Sequence, residues 1–155
     1  MTLLIITLLL NAGGTVASNG NVTTFTSDTI TSPNINVTRR DDGSWAGVLQ
    51  GQPIDLSKEL RGVNVNLTIE RAKSSTTIAG LVFQKPFRLL LSADNLDVRI
   101  GTTVEQYVRE KDGSWRPLAP SARYSLRLEG DAASSNPPLP QLVLALIANG
   151  VTPRR

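Results

Sequence analysis

The clearest alternation in the chain is Val63-Asn64-Val65-Asn66-Leu67-Thr68-Ile69, where four apolar residues share one face and three polar residues the other, as a half-buried antiparallel strand requires. The same period of two recurs over residues 34–40, with Ile35 and Val37 inward, over 96–100, with Leu96, Val98 and Ile100 inward, and over 124–128. Further extended segments are expected over 45–49, 76–83 with Gly80 as a possible bulge, 87–91 and 103–109. Two hairpin turns punctuate the pattern, Asp42-Gly43-Ser44-Trp45 and Asp112-Gly113-Ser114-Trp115. Asp-Gly between strands is a strong turn signal because glycine accepts a positive φ. The halves do not align well beyond these tetrads, so they read as a recurring turn solution rather than a duplication.

Some stretches do not alternate. Residues 1–10 (MTLLIITLLL) and 141–148 are continuous apolar runs, expected as doubly covered central strands or as a subunit interface. Residues 13–32 are rich in Gly, Asn, Ser and Thr, with Phe25 as the one large anchor, and read as an exposed hairpin or an extended polar N-terminal arm. Asp55 is placed to cap a short helix over 56–61 that stops at Gly62. Residues 130–140 (GDAASSNPPLP) read as a Pro-rich linker. About nine to eleven short strands and at most one short helix describe an all-β fold, an antiparallel β-sandwich or barrel, with a jelly-roll among its forms, in one domain over residues 1–155.

A chain of 155 residues is long enough to bury roughly 70% of its unfolded surface. The absence of cysteine and histidine excludes disulfides, thiolate and imidazole metal sites, and any Ser-His-Asp triad. An enzyme is therefore not expected, nor a cofactor or a metal. The net charge of +3 comes from dispersed residues, mostly arginines, so no specific nucleic-acid partner is expected. The first apolar run is half the length of about 20 residues that a membrane span needs. Val16-Ala17-Ser18 resembles a signal-peptidase site, but no positive residue precedes the run, which favours a strand there.

Three Asn-X-Thr triplets, at Asn21, Asn36 and Asn66, would accept glycans in a secreted protein; alternating strands also generate such triplets on their own. Trp45 and Trp115 are either aromatic platforms for a sugar or cover for the end of a core. Asp41-Asp42 and Asp94 with Asp97 lack the ligand spacing of a known cation loop. The candidate interface residues are Leu3, Leu4, Ile5, Ile6, Phe25, Trp45, Trp115, Leu142, Leu144 and Leu146.

In character, and most nearly over Asp97-Val98-Arg99-Ile100-Gly101 and Ala122-Arg123-Tyr124-Ser125-Leu126-Arg127-Leu128, the chain resembles small all-β auxiliary (decoration) and single jelly-roll capsid proteins of bacteriophages. The resemblance implies a virion structural protein that stabilises a shell through subunit contacts, as a homo-oligomer with a trimer favoured, partnered by itself and a capsid protein. The alternatives are a carbohydrate- or receptor-binding sandwich module, whose tryptophans should be exposed, and a single jelly-roll major capsid protein. Localisation is expected in the virion, or otherwise secreted or at the cell surface.

Overall fold

Six short strands, each turning back on the one before, open the fold in the computed structural model, which describes residues 13–18, 21–118, 127–134 and 136–149. They are β1 (Gly13–Ser18), β2 (Asn21–Thr26), β3 (Thr29–Ser32), β4 (Ile35–Arg39), β5 (Trp45–Leu49) and β6 (Gln52–Leu56). A second meander comprises β7 (Val65–Arg71), β8 (Ser75–Val82), β9 (Lys85–Ser92), β10 (Asn95–Ile100), β11 (Thr103–Arg109) and β12 (Trp115–Pro117). A last strand, β13 (Arg127–Gly130), returns to pair with β1. The result is two antiparallel sheets, ordered β13-β1-β2-β3-β4-β5-β6 and β12-β11-β10-β9-β8-β7. The all-β expectation holds. Greek-key or jelly-roll connectivity is not found among the described strands: apart from β13 beside β1, spatial neighbours are sequence neighbours.

Alternation explains which face each strand buries. Ile35 and Val37 on β4, Val65 and Leu67 on β7, and Leu96 and Val98 on β10 are all essentially inaccessible, and join residues of both sheets in one hydrophobic cluster. Each such side chain contributes about 1.5–3 kcal/mol on burial. The Thr-rich segment does not stand off as an arm. It forms β1 to β3 and sends Val16, Thr23, Phe25 and Ile30 into the core.

The C-terminal apolar run is not a strand but a helix, α1 (Leu139–Asn149), buried on nearly every side and packed chiefly on β2, β1 and β3. A helix that is apolar all round belongs inside a core. Pro138 and Pro140, expected in a linker, lie at its first turn, where a fixed φ helps and fewer N–H groups are left to satisfy; the ladder begins with Leu142 N–H donating to the Pro138 carbonyl at 3.0 Å. Between β13 and α1 the chain makes a short 3-10 turn over Asp131–Ala133.

Burying a helix end leaves carbonyls that need donors. The Gln50 amide donates to the Ile147 carbonyl and the Asn34 amide to that of Ala148, each at 3.1 Å. Asn149 turns its own amide onto the carbonyls of Val16 (2.7 Å) and Asn21 (3.2 Å), while the Thr23 hydroxyl donates to its Oδ1. Gln141 donates to the carbonyls of Thr26 and Ser27, both at 3.2 Å. The buried polar side chains of α1 are thus matched to β1, β2 and the turn after β2, which fixes the helix in register.

The short helix expected over 56–61 is absent. Residues 52–56 alternate as β6, with Ile54 and Leu56 inward, and the Asp55 carboxylate pairs with Arg40 at 2.9 Å instead of capping a helix. The segment after β6 joins the two sheets at one edge: Ser57 N–H donates to the Arg61 carbonyl and Leu67 N–H to that of Leu60, each at 3.0 Å.

Candidate binding surfaces

The two Asp-Gly turns are built alike. In each, the aspartate carboxylate accepts from the backbone N–H of the serine (Asp42–Ser44 at 2.9 Å, Asp112–Ser114 at 3.0 Å) and from its hydroxyl (2.6 and 2.7 Å). These bonds hold both carboxyls below the usual aspartate range by favouring the charged form. The glycines follow at φ +90° and +91°. The likeness extends backwards along both hairpins. Arg39 N–H donates to the Asp28 carbonyl at 2.7 Å and Arg109 N–H to that of Asp94 at 2.9 Å, and the two guanidinium Nε groups reach the carbonyls of Ser27 (3.3 Å) and Ala93 (2.9 Å). Asp42 and Asp112 are therefore turn residues, each with Oδ1 engaged by its own turn.

The tryptophans after the turns point inward, with 1% of Trp45 and 6% of Trp115 exposed. The Arg109 guanidinium lies over the Trp115 ring, 4.3 Å from its centroid, and donates to the carbonyls of Gly113 (3.0 Å) and Ala133 (2.7 Å). A sugar-binding module that works through these indoles needs them exposed on one surface, so their burial overturns that version of the function. Phe25, Leu142, Leu144 and Leu146 are likewise 0–1% exposed. The protomer's own core covers them, and they offer no surface to a partner. Leu3, Leu4, Ile5 and Ile6 lie outside the described residues.

What remains accessible is the outer face of the first sheet, which the sequence reading did not single out. One register row crosses all seven strands: Glu129, Thr15, Thr24, Thr31, Asn36, Val48 and Pro53. Flanking rows add Ala17 and Val22 on one side and Thr26, Thr29, Thr38 and Ala46 on the other. From β1 to β5 no outward residue carries a charge. Charge returns at the edges, with Arg127 and Glu129 on β13 and Asp55 on β6, where it discourages strand addition. Val22 and Val48 are about half exposed, at 52% and 46%. Depletion of charge is the compositional mark of an interface core, and threonine, with its single hydroxyl, costs less to dehydrate than an ion.

The Asn-X-Thr triplets differ in which of their residues faces out. Asn36 and Thr38 face out beside inward Val37, and Asn66 and Thr68 beside inward Leu67, whereas in Asn21-Val22-Thr23 it is Val22 that faces out and Thr23 that is buried. Among the described residues no three Asp or Glu side chains gather as a metal site, and no helix is long and apolar enough to cross a membrane. Compared with known proteins, the chain matches no family model, no curated protein and no solved structure.

Proposed function

We propose that this protein is a structural assembly module, which uses the charge-free outer face of the first sheet to pack against a second copy of itself. The observation that carries this is the row from Thr15 to Val48 with its uncharged neighbours. The five strands without outward charge, β1 to β5, at ~4.8 Å spacing and about five residues at ~3.3 Å, give a face of roughly 400 Å². Two such faces bury roughly 800 Å², the size of a weak, transient contact rather than of a stable interface. Contacts of that size are weak singly and gain strength when repeated over a lattice. The concrete form proposed is a capsid auxiliary (decoration) protein that reinforces a viral shell; its support is the resemblance in character to such phage proteins.

Val48→Glu places a carboxylate on the uncharged row of the face, at β5, without touching the core. In sedimentation equilibrium the parent protein is expected to self-associate at micromolar to millimolar concentrations. The variant should keep the parent's circular dichroism and dissociate at concentrations at least about tenfold higher, the effect of opposing two desolvated like charges. A parent that stays monomeric throughout that range contradicts the proposal.

A further inference from the structure

A trough of basic side chains runs beside β7 and past the first turn of α1. Its first part, about 390 Å³, is lined by Lys58, Arg61, Thr68, Ile69, Arg71 and Pro140, with Glu59 as its one carboxylate. A second hollow of about 360 Å³ shares Arg71 as a wall and adds Lys73 with the hydroxyls of Ser75, Thr76 and Ser92. Four cations against one carboxylate give the trough a surplus as large as the net charge of the whole chain, +3.

These cations lie together along adjoining hollows, and none of them meets a carboxylate among the described residues. Arg39, Arg40 and Arg116 each meet a carboxylate, from Asp28, Asp55 and Glu110. Lys58, Arg71 and Lys73 have no ion-pair or hydrogen-bond partner among the described residues. Arg61 is held in place without being neutralised: its Nε donates to the Leu67 carbonyl at 3.3 Å and its Nη2 to the Thr68 hydroxyl at 3.2 Å. Lys58 is steered by the first Asp-Gly turn, where its stem lies so close to Gly43 that a Cβ there would stand 3.2 Å from the Lys58 Cβ.

We propose that this trough binds a small organic phosphate, a role that goes beyond the assembly function and does not depend on it. Apart from Glu59 and Asn136, the polar side chains of the lining are guanidinium, ammonium and hydroxyl donors, which suit an oxyanion that only accepts. Its volume falls within the range of small-molecule sites. Arg61 and Arg71 take the phosphate between them, Lys58 and Lys73 flank it, and Ile69 and Pro140 receive the organic body. A cleft walled by one sign of charge also raises the local concentration of the anion.

The test is isothermal titration at low salt with phenyl phosphate as the probe. The parent is expected to bind it saturably at one site, and more tightly than inorganic phosphate, which lacks the apolar body. Arg71→Gln should weaken binding about tenfold, the worth of one charge-assisted hydrogen bond. Arg88→Gln, on the outer face of the second sheet, should leave it unchanged. Unaltered thermal melts confirm that both variants fold. The proposal is overturned if no saturable binding is seen, or if Arg88→Gln costs as much as Arg71→Gln. It also fails if a duplex DNA oligomer binds far more tightly with a steep salt slope in parent and variants alike, since that would make the charge a polyanion surface.

Discussion

Leu144→Asp is expected to abolish the native fold. Leu144 is wholly inaccessible, in the middle of a helix whose neighbours from Leu142 to Leu146 are equally buried. An aspartate there must either hold an unpaired charge in an apolar interior or protonate against its ordinary pKa, at a cost of several kcal/mol. Single domains retain only about 5–15 kcal/mol of net stability, and the same substitution also forfeits the packing of the leucine. The milder Leu144→Ala should cost about 2–5 kcal/mol. Urea titrations followed by the fluorescence of the two buried tryptophans measure both effects. A cooperative Leu144→Asp transition within about 1 kcal/mol of the parent would mean that the C-terminal run does not fill the core.

Gly47→Ala carries the second large effect. A Cβ on Gly47 would lie 2.1 Å from the Asn36 carbonyl oxygen and 2.7 Å from the Val37 Cα, on a backbone with φ +153°. Gly80 stands in the same relation to β7: a Cβ would meet the Asn66 oxygen at 2.1 Å and the Leu67 Cα at 3.0 Å, with φ +156°. In both hairpins the glycine sits directly opposite a core residue, Val37 or Leu67, where only a residue without a side chain allows the strands to close. Backbone strain and the clash with main-chain atoms together should cost roughly 2–4 kcal/mol. Gly80→Ala should behave alike, and a loss below about 1 kcal/mol for either in the same titrations would show that the strands absorb a Cβ by shifting.

Most strands were legible because a half-buried strand writes its burial into every second residue. Ile35 and Val37, Val65 and Leu67, and Leu96 and Val98 all face inward as their alternation implies. The helix was not legible from its apolar residues, since the unbroken run of seven from Leu142 to Ala148 has no period and is equally compatible with a buried strand. Its signal lay at the two ends: Pro137, Pro138 and Pro140 at the start and Asn149-Gly150 at the finish form the proline-first, glycine-last pattern of a helix. Two identical-looking triplets show where pattern fails altogether. Asn36-Val37-Thr38 and Asn21-Val22-Thr23 have the same chemistry, yet Thr23 is inward because Asn149, 126 residues away, supplies its hydrogen-bond partner.

The same limit applies to the candidate surfaces. That Phe25, Trp45, Trp115 and Leu144 would be covered was readable from their character; that the chain itself covers them was not, because it depends on where α1 packs. The uncharged face did leave a trace. Asp28 is the only charged side chain among the first 38 residues, so β1 to β3, and β4 up to Thr38, could not present an ionic surface in any register.

The central claim is that the C-terminal run folds into its own protomer and leaves association to the outer faces. Hydrogen exchange of the α1 amides from Leu142 to Ala148 tests it most directly. They should exchange only through global unfolding, among the slowest in the molecule and at a rate independent of protein concentration. Exchange within the first minutes, or protection that falls away on dilution, would instead place this segment at the surface or in a neighbouring copy.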